Sequence, residues 1–271
     1  AVKQYAVAHN IPVLQPEKLK DPNFLEELRN YRADLQVIVA FRMLPEAVWD
    51  MPPHGTFNLH ASLLPQYRGA APINWAIING DTETGVTTFL LDHEIDTGRI
   101  IHQARTPISE DDNVETVHNR LRDIGAGVVT QTVDDIIAGN IRPIDQDTLT
   151  ADTEIRHAPK IFKDTCRLAF DLPVKRAFDF VRGMSPYPAA WTELVEENGK
   201  HTMLKIYATT REETTVAEAP GTVLTDGKTY FKIAFPDGYL ALTQLQLAGK
   251  KRMTVTDFLR GYHPEGALRA E

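Results

Sequence analysis

Leu35-Gln36-Val37-Ile38-Val39-Ala40-Phe41 is a short, β-branched and almost wholly apolar run. That composition suits a strand buried on both faces of a sheet, and such a sheet needs helices to cover it. The flanking sequence supplies them. Asp21-Pro22 sets an N-cap and an N1 proline ahead of apolar positions at helical spacing through Tyr31, and Leu44-Pro45-Glu46-Ala47-Val48-Trp49 predicts a short helix. Residues 56–60 read as the next strand, 71–79 as a helix closed by Gly80, and 85–91 and 98–106 as further strands. A long helix over 114–138 is introduced by Asp111 and Asp112 and stopped by Gly139-Asn140. This alternation predicts an α/β fold with a doubly wound, mostly parallel sheet and a ligand crevice at the carboxyl ends of its strands.

After Pro143 the pattern changes. Runs at 204–208, 228–235 and 239–247 alternate with turn signals, and Asp226-Gly227 and Asp237-Gly238 suit tight hairpins, so this part predicts antiparallel β-structure and a small barrel. A chain of 271 residues accommodates both units: residues 1–145, a linker at 146–157, and residues 158–271. The net charge of −8 is unevenly spread, with 12 Lys and Arg against 21 Asp and Glu in residues 1–150 but 17 against 16 in residues 151–271. Within the second part, Lys250-Lys251-Arg252 with Arg260 nearby suits phosphate contacts, although short basic clusters also serve simply as solvated surface. No apolar run approaches the ~20 residues that cross a bilayer, and the single cysteine, Cys166, excludes an internal disulfide framework and a multi-cysteine zinc site. These features predict a cytoplasmic protein without membrane partners, with Cys166 as a packing residue. The opening Ala1–His9 segment has no initiator methionine and no signal-peptide pattern, and it reads as the end of an amphipathic helix, which predicts a further segment upstream.

Asn58 and His60 stand two apart on the strand at 56–60, so their side chains project from one face. An amide supplies neutral donors and acceptors, and histidine is the side chain whose unperturbed pKa lies nearest neutrality, so the pair can hold a developing oxyanion and move a proton. Asp96, after the strand at 85–91, is the carboxylate that can orient the His60 ring from a neighbouring strand end. An Asn-x-His pair is alone a weak signal, and a histidine at a strand end is commonly structural. His54, His93 and His102 have no supporting motif and read as structural or exposed.

The surrounding residues strengthen the pair. Ser62-Leu63-Leu64-Pro65, then Arg68-Gly69-Ala70-Ala71-Pro72, then Asp96-Thr97-Gly98 together resemble the folate-dependent formyltransferases over nearly the whole chain. Within that family, Arg68 to Ile73 and the tail from Ala248 to Leu259 are most similar to the members that act on tRNA. The resemblance implies a Rossmann-like catalytic domain and an OB-like C-terminal barrel that binds tRNA. It also implies 10-formyltetrahydrofolate as co-substrate, the α-amino group of methionyl initiator tRNA as acceptor, no metal, and a monomer. Asn58 and His60 would stabilise the oxygen of the tetrahedral intermediate, and Asp96 would hold His60 and help to remove the amine proton. Ser62, Leu63, Leu64 and Pro65 would line the donor pocket with Phe41, Met43 and Leu44 and, less directly, Arg42. Family members carry a strand, a helix, a second strand and a basic loop before the point where this sequence begins, so the catalytic domain is expected to be N-terminally incomplete. Formyl transfer to an amino sugar or another small amine, hydrolysis of the donor, and a catalytically silent RNA-binding protein are the other readings the residues leave open.

Overall fold

The computed structural model describes residues 1–40, 43–150, 154–264 and 266–271. The first part runs α1 (Val2–Ala8), α2 (Pro22–Asn30), β1 (Gln36–Val39), α3 (Glu46–Trp49), β2 (Thr56–His60), β3 (Arg68–Gly69), α4 (Pro72–Ile78), β4 (Glu83–Leu90), β5 (Ile100–Pro107) and α5 (Val114–Ile137). A 3-10 turn at Gln146–Leu149 and β6 (His157–Ala158) follow. The second part holds a 3-10 turn at Asp164–Cys166, α6 (Val174–Met184), β7 (Ala190–Glu196), β8 (His201–Glu213), β9 (Val223–Thr225), β10 (Phe231–Phe235), β11 (Gly238–Leu247), β12 (Met253–Thr254), α7 (Val255–Gly261) and β13 (Leu268–Ala270).

Local chemistry sets the helix starts. Asp21 accepts hydrogen bonds from the Asn23 and Phe24 amides at the head of α2, and Asn113 and Thr116 form a reciprocal capping box on α5. Asp112, just ahead of α5, accepts from the Ser109 amide, the Thr116 hydroxyl and Arg120. Burial pushes this carboxyl up, but those hydrogen bonds outweigh it and hold the pKa down at about 2.

The α/β alternation is present, and the first sheet, ordered β1-β2-β4-β5, is mixed. Only β1 and β2 are parallel; β4 runs antiparallel to β2, and β5 to β4, because the nine residues after β4 reverse the chain directly instead of crossing over through a helix. The run at Leu35 to Phe41 does form a strand, but at the sheet edge, where Val37 and Val39 are exposed on a face that no described element covers. Helix α5 covers the other strands on one side, packing Ile136 with Phe57 and Ile101, and Val117, Leu121 and Val128 with Val86.

The second sheet is antiparallel, ordered β13-β7-β8-β11-β10-β9, with β12 added to β11. Its end strands approach each other through the Thr222–Arg269 bridge and the bond from the Ala270 amide to the Gly221 carbonyl, which nearly close it into a barrel. Phe231, Ile233, Phe235, Leu194, Leu204 and Ile206 fill the interior. Of the two tight hairpins expected, the second is present, shifted by one residue, and the first is longer. Asp226 organises a five-residue loop by accepting from the Lys228 and Thr229 amides, so β10 begins only at Phe231. The β10–β11 loop is Pro236-Asp237, and the Asp237 carboxylate accepts from the Val174 amide at the start of α6.

Helix α6, which hydropathy spacing at Val174, Ala177, Val181 and Met184 could have revealed, joins the two halves. Those residues enter the barrel core, while Asn74 of α4 donates to the Gly183 carbonyl and Arg182 donates to the Ser109 and Asp112 carbonyls.

Candidate active site

Strand β2 places Asn58 and His60 on the sheet face opposite α5, and both are buried. Their cross-strand partners on β4 are Phe89 and Thr87. The Phe89 ring meets the His60 imidazole edge to face with centroids 6.5 Å apart. His60 Nε2 lies 2.9 Å from the Tyr67 carbonyl oxygen. A carbonyl only accepts, so Nε2 carries the hydrogen and Nδ1 is the ring atom left to exchange a proton. Nδ1 faces Asp96 Oδ2 at 3.8 Å, with both side chains almost fully buried. Asn58 Oδ1 is buried with no hydrogen-bond partner among the described residues. An orphaned acceptor costs about 1–3 kcal/mol and is a feature expected of a working site rather than of a packed core.

Asp96 reaches this face differently from expectation. Because β4 is antiparallel to β2, its carboxyl end lies beside Thr56 and Phe57, and the loop at 91–99 folds back over the sheet to bring the carboxylate to His60. Asp96 sits at φ +58°, a left-handed conformation that aspartate adopts more readily than most residues. Gly98 explains the Asp-Thr-Gly pattern: a Cβ there would stand 1.7 Å from the Leu90 carbonyl oxygen. Oδ2 of Asp96 also accepts from the Gly69 amide at 2.9 Å. Gly69, at φ +126°, pairs with β6 so closely that a Cβ would fall 2.4 Å from the Ala158 carbonyl oxygen.

The loop from Ser62 to Pro65 is fastened from below. Thr87 accepts from the Leu64 amide and donates to the Ser62 carbonyl, Gln103 donates to the Leu64 carbonyl, and the Ser62 hydroxyl donates to the Gln66 carbonyl. Ser62, Leu64 and Pro65 are buried and Leu63 is half-buried, so the side chains fix the loop shape. The parallel pairing of Val39 with Leu59 puts the loop after β1 at the same sheet edge as His60, with Met43 exposed and Leu44 half-buried. Phe41 and Arg42 lie outside the described residues.

Several contributors carried no sequence signal. Tyr67 adopts φ +62°, and its hydroxyl donates to Asp81 and accepts from Asn79 and Arg156; burial and the Asp81 carboxylate together push the phenol above its usual range. The segment expected to link the two units is fastened to the site: the Tyr67 amide donates to the Arg156 carbonyl, and Gln146 is buried against Arg68 and the Asp96 loop. In the barrel, Lys250 and Lys251 are exposed, Arg252 stacks over the Tyr207 ring at 4.4 Å, and Arg260 pairs with Asp257. Cys166 is buried in the barrel core, where burial pushes its thiol pKa up. His102 pairs with Asp135 away from the site, and His54 is exposed. Among the described residues no cluster of three or more His, Cys, Asp or Glu has the arrangement of a metal site, and no helix is long and apolar enough to cross a membrane.

Comparison with known proteins places this geometry. Residues 1–133 match the formyl transferase family, and residues 160–263 match the formyl transferase C-terminal domain. The chain belongs to the formyl transferase family. It is 62% identical over 263 residues to the methionyl-tRNA formyltransferase of Parabacteroides distasonis, covering 97% of this chain and 81% of that protein. The proteins of the same name from Phocaeicola vulgatus and Bacteroides fragilis are 60% and 57% identical, over 100% and 99% of this chain and 84% and 83% of theirs. Among solved structures, the sugar 3N-formyl transferase WlaRD aligns with TM-score 0.65 at 19% identity, covering 93% of this chain and 82% of its own. HypX of Aquifex aeolicus, crystallised with tetrahydrofolic acid, aligns with TM-score 0.63 at 20% identity, covering 91% of this chain and 43% of its own. At those identities the structural matches speak for the fold of this formyl transferase.

Proposed function

We propose that this chain transfers the formyl group of 10-formyltetrahydrofolate to the α-amino group of methionyl initiator tRNA, for translation initiation. One observation carries the formyl-transfer chemistry: His60 Nδ1, the Asp96 carboxylate and the Asn58 amide, whose Oδ1 has no partner among the described residues and can accept from an amine N–H, share one buried sheet face. The acceptor rests on the identity to the methionyl-tRNA formyltransferases.

On this reading the amine nitrogen attacks the formyl carbon, and the new C–N bond makes a tetrahedral intermediate whose oxygen is held by the Asn58 amide N–H and, once Nδ1 has taken up the amine proton, by the His60 imidazolium. Collapse breaks the bond to N10 of the folate, which takes up a proton as the attacking nitrogen gives one up. His60 moves that proton through Nδ1, and Asp96 holds the ring in place. The folate lies along the Ser62-Leu63-Leu64-Pro65 loop and the segment with Met43 and Leu44, where a turn with backbone groups beside apolar side chains suits a flat heterocycle. Residues 1–145 form the catalytic unit, 146–157 join it to the barrel, and 158–271 bind the tRNA through a surface that includes Lys250, Lys251 and Arg252. The protein works as a monomer in the cytoplasm.

The deciding experiment offers 10-formyltetrahydrofolate with methionyl initiator tRNA, with a nucleotide-linked amino sugar, or alone, and measures formylated product and released formate. Formylation of the tRNA is expected; efficient formylation of the sugar, or hydrolysis alone, without tRNA activity would overturn the proposal. Replacing Lys250, Lys251 and Arg252 together by neutral residues is expected to weaken tRNA binding and to flatten its dependence on salt. Equal affinity at every salt concentration would remove them from the docking surface.

A further inference from the structure

We infer that Gln146 is a positioning residue for the His60–Asp96 pair, an assignment that rests on the proposed reading of that pair as catalytic. The residue is 1% exposed, and all four hydrogen-bonding positions of its amide are filled. Nε2 donates to the Asp96 carbonyl at 2.9 Å and to the Gly98 carbonyl at 2.8 Å. Oε1 accepts from Arg68 Nε at 3.0 Å and from Arg68 Nη2 at 2.8 Å. The two segments so joined are the ones that meet in the site. Gly69, next to Arg68, donates its amide to Asp96 Oδ2, so Asp96 is held by its carboxylate from one strand and by its carbonyl from Gln146.

This double hold fixes the loop at 91–99, with Asp96 in its left-handed conformation, relative to Arg68 and Gly69, which directly follow the Tyr67 carbonyl that holds the His60 ring. Without the Gln146 amide, two buried carbonyls and a guanidinium lose their partner together, and Asp96 keeps its carboxylate bond to Gly69 but loses the hold on its backbone. Methionine matches the length of glutamine but makes none of the four bonds. Glutamate keeps the Arg68 contacts while its oxygens face the two carbonyls without a hydrogen to share. Asparagine is one methylene short of spanning both sides.

The test compares the full chain with Gln146→Met, Gln146→Glu, Asp96→Ala and the Gln146→Met/Asp96→Ala double variant, measuring kcat, both KM values and the pH profile of kcat in tRNA formylation. Circular dichroism and melting confirm folding. Misplacing a reacting group by about 1 Å costs up to ~10²-fold, so kcat should fall about 10- to 100-fold in both Gln146 variants, with KM values within about threefold. The pH profile should shift. In the Asp96→Ala background, Gln146→Met should cost less than about twofold, because the two residues act as one unit. If Gln146→Met does not fold, Gln146→Glu, which retains the Arg68 partner, carries the same test. Wild-type kcat in the folded Gln146 variants, a rise in KM alone, or full additivity with Asp96→Ala would overturn the inference. Asp96→Ala with undiminished kcat would instead overturn the reading of the site on which it rests.

Discussion

Phe57 and Leu59, on one side of β2, pack beneath α5 with Ile101, Ile136 and Gly125, whereas Asn58 and His60, one residue away on the other side, meet a backbone carbonyl, a carboxylate and an aromatic edge. The first side is closed and nearly all apolar. The second leaves an amide oxygen without a partner among the described residues and takes much of its order from loops. On the proposed reading of the site, the contrast teaches that one strand separates stability from chemistry by the two-residue period of its side chains, so substitutions at adjacent positions should fail in different ways.

The largest expected effect lies on the closed side. Phe57→Ala should destabilise the protein by about 3–5 kcal/mol in denaturant unfolding, while the molecules that remain folded keep a normal kcat. Across the strand the pattern should invert: Asn58→Ala should lower kcat about 10²- to 10³-fold, and His60→Ala about 10²- to 10⁴-fold, with little change in unfolding midpoint. Equal losses of stability and turnover at 57 and 58 would abolish the distinction. A middle case tests the support of α5 itself. The Asp112 carboxyl is held at about 2, below its ordinary ~3.9, so its stabilising contribution is complete above about pH 4 and disappears as pH falls toward 2. Asp112→Asn should therefore cost on the order of 2 kcal/mol near neutral pH, and the gap from wild type should narrow as acid is added; a gap independent of pH would assign the loss to packing. The smallest effect is expected at Thr132, whose hydroxyl bonds Thr88 and the Val128 carbonyl under α5. Thr132→Val should cost about 1 kcal/mol in stability and leave formylation rates untouched.

The elements with strong local punctuation were legible in the sequence: Asp21-Pro22 opening α2, the long run of α5, and the strand carrying Asn58 and His60. The direction of β4 was not, because an alternating pattern states that a segment is a strand but not which way it runs. That omission misdirected the route of Asp96, which comes over the sheet instead of standing at a parallel strand end. The left-handed Tyr67 and the buried Gln146 were hidden for another reason: their roles depend on partners some ninety and fifty residues away, at Arg156 and Asp96, and no local spacing encodes such meetings.

Helix α6 has one edge embedded in the barrel and the other bonded to α4 and to the turn ahead of α5, with a bidentate Arg211–Glu110 pair bracing the same joint. Such a joint resists swivelling. Turning the barrel about it would strip Arg182 from two carbonyls and drive Gly183 against Ile78, where a Cβ already has no room. If the barrel holds the tRNA as proposed, its end reaches His60 from a single bearing, and the chain gauges its cargo as a caliper with a fixed jaw does, by whether the end of the strand arrives at the right place.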